Sequence, residues 1–191
     1  MAAQNDSRRV KMTKKLLKTS LIEIMKTTPL HAITIKEICD GADVNRSTFY
    51  RHYDTQFDLY DDVISDISKD IERILIEEQE NNFDICNFLT KVLEYIESNR
   101  DTFLVVLSEK GYLNMGETFN RIIGRFIPAD KTTELGTYIV QFIAAGMTSI
   151  LWTWLNKQER RSAREVARLI HAFMRHGLKG AFDFTVRASG K

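Results

Sequence analysis

The sequence predicts an all-α protein, and three observations predict it. Apolar residues recur at three-and-four spacing from end to end, β-type alternation is almost absent, and only two prolines, Pro29 and Pro128, occur in 191 residues. A hydrophobic share of 43% is enough to bury a core. The net charge of +1 says nothing about a partner, but its distribution does. Residues 1–53 carry ten Lys and Arg against five Asp and Glu, whereas residues 54–82 carry two against ten. A basic head thus precedes an acidic segment.

The first helix shows Leu17, Leu21, Ile24 and Met25 at i, i+4, i+7 and i+8. Pro29 ends it, because a proline pushes the residue before it out of helical space. The stretch ahead of it, "SRRVKMTKK", reads as a polar, solvated arm, and the N-terminus lacks the apolar run of an export signal. A second helix opens at "TIKE", where Thr34 caps and Glu37 reaches back in a capping box, and it ends near Gly41. After a glycine-containing turn, "GADV", a third short helix starts at Asn45, a good N-cap residue, and runs to about His52.

"DTQFD" then opens a longer fourth helix, capped by Asp54 or Thr55, with Tyr60, Val63, Ile64, Ile67, Ile71, Ile74 and Leu75 as its apolar stripe. The run Asp54, Asp58, Asp61, Asp62, Asp66 and Asp70 crowds the N-terminal half of this helix, where carboxylates complement the dipole; metal binding is not expected. Five more helices follow, near residues 83–99, 101–110, 113–126, 131–156 and 163–182, the last opening on the capping box "SARE". About nine helices result, divided into an arm and three-helix head (1–53), a connector (54–76) and a larger body (77–191).

Tyr138 to Leu155 is eighteen residues without a charge, which touches the lower limit for a membrane span. Gln141, Thr148, Ser149 and Thr153 interrupt it, so it reads as a helix covered on more than one side by its own domain or a second subunit, and no membrane partner is expected. Cys39 and Cys86 lie in apolar patterns without metal-ligand spacing, as reduced core residues of a cytoplasmic protein do.

Three short helices with a tight turn between the second and third, behind a basic arm, fit a helix-turn-helix that lays its third helix in the major groove of DNA. Burying Arg46, Arg51 and His52 in a core would leave them unpaired, whereas phosphates would satisfy them. Arg46, with a fork that matches guanine, and Ser47 are the base-reading candidates; Thr48, Tyr50, His52 and Thr34 hold the backbone. Lys36, Asn45, Arg51 and Gln56 complete the expected DNA-binding set.

"TIKEICDGADVNRSTFYRHYDTQFDLYDDVI" resembles the N-terminal DNA-binding domain of the TetR family of bacterial transcriptional regulators, most specifically in Phe49, Tyr50, Arg51, His52 and Tyr53. The resemblance implies base contacts from Arg46 and Ser47, phosphate contacts from Thr48, Tyr50 and His52, and core roles for Val44, Phe49 and Tyr53. Where the family often carries a phosphate-binding lysine at the start of the fourth helix, this chain has Gln56. "LSEKGY" and "YIVQFIAAGMTSILWTWL" resemble a subgroup from low-GC Gram-positive bacteria whose last two helices form a four-helix dimer interface. That implies a homodimer, with Phe142, Ile150, Trp154, Ile170, Phe173 and Met174 at the contact.

The expected function is therefore a sequence-specific, DNA-binding repressor released from a partly palindromic operator by a small-molecule effector in the body. The alternative is a TetR-like coactivator or interaction protein that acts mainly through a protein partner. No G-x-S-x-G, P-loop or H-E-x-x-H pattern occurs, and His171 and His176 lie five apart rather than the four that would share a metal, so no catalytic centre, metal or cofactor is expected.

Overall fold

The computed structural model describes residues 2–80, 82–108 and 133–189, with side chains from Arg8 to Gly177 within those ranges. Among them the architecture is all-α, with no strand. The described residues fall into two compact units, one holding residues up to Ser68 together with 105–108, the other holding 69–104 and the residues from 133 on.

In the first unit, helix α1 (Ala2–Met25) starts earlier than expected. The polar arm is helical, because residues 2–16 contain neither Pro nor Gly and are rich in Lys, Arg and Ala, which lose little on entering a helix. Leu17, Leu21, Ile22 and Met25 are buried and Ile24 is half-buried. The chain leaves the helix before Pro29, and a short 3-10 turn (Leu30–Ala32) buries Leu30.

Helix α2 (Ile35–Ala42) carries the expected capping box: the Thr34 amide donates to Glu37 Oε2 at 2.8 Å and the Glu37 amide donates to Thr34 Oγ1 at 3.3 Å. Such a cap contributes about 1 kcal/mol. The role of Gly41 differs from the expected one. It lies inside α2 rather than at the bend, and a Cβ there would come within 2.5 Å of Ser20 Oγ, which donates to the Ile38 carbonyl at 2.9 Å in the buried contact between α1 and α2. The left-handed residue of the turn is Asp43 (φ 52°), a conformation that Asp tolerates better than most.

Helix α3 (Arg46–Tyr50) follows Asn45, and helix α4 (Gln56–Glu80) is capped by Thr55, not Asp54. Thr55 and Asp58 form a second reciprocal box, in which the Thr55 amide donates to Asp58 at 2.8 Å and the Asp58 amide donates to Thr55 Oγ1 at 3.3 Å. Leu59, Tyr60, Val63, Ile64, Ile67 and Ile71 form the buried stripe of α4, while Ile74 and Leu75 are half-buried.

In the second unit, helix α5 (Ile85–Ser98) begins at Asp84, whose carboxylate accepts from the Asn87 amide at 2.7 Å, and buries Phe88, Leu89, Val92, Leu93 and Ile96. The buried Glu78 carboxylate near the end of α4 is satisfied by Asn87 Nδ2 at 2.8 and 3.0 Å and by Lys91. Helix α6 (Arg100–Val106) is short. Helix α7 (Glu134–Asn156) starts at Thr133, which accepts from the Gly136 amide, and helix α8 (Ala163–Ser189) starts at the expected Ser162–Glu165 box. Helix α8 packs against α5, and Gly177, at φ 59°, breaks its regular backbone. The helix expected at 113–126, and all of "LSEKGY" beyond Ser108, lie outside the described residues.

Helix α7 is long and apolar enough to cross a membrane by length and composition, and 28% of its most apolar window is buried. Thr148 is buried within it and donates to the Ala144 carbonyl, as a hydroxyl inside a helix does when it has no other outlet. Cys39 is buried as expected, whereas Cys86 is only half-buried; both are free thiols.

Candidate nucleic-acid interface

The third helix divides its residues between two sides. Phe49 is fully buried and Tyr53 nearly so, and their rings meet with centroids 5.7 Å apart, which ties α3 to the core. Asn45, Arg46, Ser47, Tyr50 and Arg51 are exposed, Tyr50 to 55%, and Thr48, His52 and Val44 are half-buried. Thr34 and Lys36 on the α2 side are exposed, and Gln56 at the start of α4 is half-buried.

Asn45 occupies the N-cap position through its backbone alone. Its carbonyl accepts from the Thr48 and Phe49 amides at 2.8 and 3.1 Å, but its side chain makes no capping bond. Arg51 Nη2 donates to Thr48 Oγ1 at 3.2 Å, one turn back, so these two residues share one side of the helix. The exposed side of α3 thus holds a guanidinium, a phenol and a hydroxyl on a helix whose other side is anchored in the core. Chemically it can donate hydrogen bonds to phosphate and accept or donate at base edges.

His52 packs edge-on against Tyr53, with centroids 6.3 Å apart. Burial, then the positive charges of Lys14 and Arg51, hold its imidazole below the usual histidine range, so it is neutral at pH 7.

The structure also contains a cluster that sequence reasoning missed. Asp62 of α4 accepts the Tyr53 hydroxyl at 2.6 Å and pairs with Lys14 at 3.2 Å and Lys18 at 3.0 Å, both from α1. Lys18 also pairs with Asp66, and the Lys14 ammonium lies 5.0 Å from the centre of the Tyr53 ring. Burial alone would raise the Asp62 carboxyl, but Tyr53, Lys18 and Lys14 outweigh it and hold it at about 2. Burial first, and then the Asp62 bond and charge, push the Tyr53 phenol up, so it stays protonated and remains a donor. One carboxylate therefore fastens α1, Tyr53 just after α3, and α4 to each other. In the sequence the acidic run of α4 signals only a dipole effect, because a partner 48 residues away along the chain gives no local signal.

In the second unit, the residues expected at a subunit contact separate into two groups. Phe142 is 83% exposed, and Phe173 and Met174 are exposed beside a half-buried Ile150. Trp154 and Ile170 are instead covered by their own chain, Trp154 with its indole Nε1 donating to the Arg161 carbonyl at 2.8 Å. Leu135, Tyr138, Ile139 and Trp152 extend the exposed apolar side of α7 beyond the residues expected.

Residues 84–176 match the TetR-type family described as a transcriptional regulator C-terminal region. A stretch of 61 residues, 32% of the chain, is 31% identical to the HTH-type transcriptional regulator YxbF of Bacillus subtilis, and that match spans 16% of the relative's length. Among solved structures, a TetR transcriptional regulator from Streptococcus agalactiae superposes with a TM-score of 0.62 at 20% identity, covering 88% of this chain and 96% of that one. The fatty acid degradation regulator FadR from Bacillus halodurans follows at 0.60 and 13%, covering 87% and 96%. The dihydroxyacetone kinase operon activator DhaS superposes at 0.51 and 16%, again covering 87% and 96%. The matched C-terminal region, a helix-turn-helix relative and the shared all-α fold together support a TetR-family transcriptional regulator.

Proposed function

We propose that this regulator is a cytoplasmic homodimer that binds a partly palindromic operator with one α3 per half-site and acts as a repressor. The carrying observation is the exposed side of α3: Arg46, Ser47, Tyr50 and Arg51 stand in solvent on a helix whose buried Phe49 fixes its orientation. Arg46 and Ser47 read base edges, and Thr34, Lys36, Asn45, Thr48, Tyr50, Arg51, His52 and Gln56 hold the phosphates. Two recognition helices about 35 Å apart, or a small multiple of that, meet successive major grooves. The exposed apolar side of α7, with Phe173 and Met174 of α8, is the self-association surface, since a two-fold partner covers it with the same residues. A small-molecule effector that prefers one of two arrangements of the dimer releases the operator.

Footprinting of the purified protein on its own upstream DNA tests the reading, with protection of two related half-sites expected. Arg46→Ala should lose about 1–3 kcal/mol on the operator and little on random DNA, whereas Tyr50→Phe should weaken both alike. Equal losses from Arg46→Ala on the two DNAs would remove its base-reading role.

A second reading, action through a protein partner, is favoured by Gln56, which stands where a phosphate-binding lysine is common in the family. Its signature is operator protection that appears only when cell extract is added to the pure protein.

A further inference from the structure

Between the end of α7 and the start of α8, the chain forms an open cleft of about 590 Å³, within the range of small-molecule sites. Its floor is apolar: Trp154 and Val166 are buried and Ile150 half-buried. Its rim is cationic, with Lys157, Arg160 and Arg161 against one acid, Glu159. The indole bond from Trp154 to the Arg161 carbonyl clamps the connecting loop over the floor, so the cleft is a built feature of the bend. Arg160 is held only by long contacts, 3.4 Å to Glu97 from two of its nitrogens and 3.4 Å to the Lys157 carbonyl. A carboxylate or phosphate at normal hydrogen-bond distance would compete well for that guanidinium.

We propose that this cleft binds an amphipathic organic anion, its acidic head on Lys157, Arg160 and Arg161 and its apolar tail across Ile150, Trp154 and Val166. Arg161 pairs with Glu165 at 3.1 Å and Arg160 meets Glu97 at 3.4 Å, so an acidic head competes for groups that an uncharged apolar molecule would leave unused, and a bare inorganic anion would leave the floor open. The combination of a paired cationic rim and a ring-bearing floor selects a molecule with both parts. This site does not depend on DNA binding, and its test does not read it.

The chain has two tryptophans, and only Trp154 lines the cleft. Full-length protein carrying Trp152→Phe therefore reports the site through a single indole. Titration with decanoate should change Trp154 emission saturably, while decylammonium, decanol and inorganic phosphate should bind at least about tenfold more weakly. Lys157→Gln and Arg161→Gln, both on exposed side chains, should each weaken decanoate by about tenfold with the circular dichroism spectrum unchanged. Arg160→Gln should do the same, with Lys157→Gln as the control for the contacts of Arg160 to Glu97 and of Arg161 to Glu165. No saturable change with decanoate overturns the proposal, as does equal binding of decylammonium or decanol, equal binding of phosphate, or unchanged affinity in all three variants.

Discussion

The exposed side of α3 and the exposed side of α7 face water for opposite reasons. Both helices bury one side in the same way, Phe49 in the first unit and Leu151, Trp154 and Leu155 in the second. What remains outside differs: Arg46, Ser47 and Arg51 on α3, against Leu135, Ile139 and Phe142 on α7. Polar groups rest in water at no cost until a polyanion displaces counterions, whereas exposed apolar area costs about 25 cal/mol per Å² until something covers it. The first side waits for a charged partner, and the second needs an apolar one.

Salt separates the two most sharply. With about six phosphate contacts, operator affinity should fall about a thousandfold between 50 and 200 mM salt, while the dimer dissociation constant stays nearly level. Fluorescence anisotropy and sedimentation equilibrium over the same salt series would measure both, and a dimer that fell apart in parallel would erase the distinction. Next in size, Phe142→Asp places a charge at the most exposed large apolar position of α7 and should weaken self-association by 2 kcal/mol or more, roughly thirtyfold. Sedimentation equilibrium would read it, and the same change should leave the folding of the first unit intact.

A smaller effect concerns what holds the exposed side of α3 in place. Tyr53→Phe removes the hydroxyl that Asp62 accepts and should lower stability by about 1.5–3 kcal/mol at pH 7 in urea unfolding. Because the folded Asp62 lies at about 2, below its ordinary 3.8, its contribution is full above about pH 4 and fades as pH falls towards 2. The gap between wild type and variant should therefore close in that interval; a constant gap would mean that Asp62 is not the partner that matters.

The smallest effect is protonic. His52 is held below 6.5 in the free protein, and a phosphate beside it would favour its charged form. Binding then takes up a proton, so operator affinity should rise a few-fold as pH falls from neutral into the acid range, and His52→Gln should flatten the profile.

Local signals carried most of what was legible. "TIKE" and "SARE" announce their caps because a capping box spans three residues, and the same logic works in "DTQF" with Asp58 in place of a glutamate. The division of Asn45 to Tyr53 into a buried and an exposed side was legible for the same reason, since a short helix sorts its faces by spacing. Long-range pairings were not: nothing near Asp62 names Lys14, Lys18 or Tyr53 as its partners. Trp154 and Ile170 show a different limit, because an apolar residue facing its own core and one facing another subunit look alike in sequence, and these two are covered within the chain.

Gly41 has an exposed backbone, yet the approach of α2 to α1 leaves no room there for even a methyl group beside Ser20 Oγ. Alanine would have to displace a hydroxyl that is already bonded to the Ile38 carbonyl, a modest strain that heat would amplify. In genetic terms, position 41 is where a conditional allele belongs: a Gly41→Ala chain should fold in the cold and fail on warming, with every exposed residue of α3 still in the coding sequence.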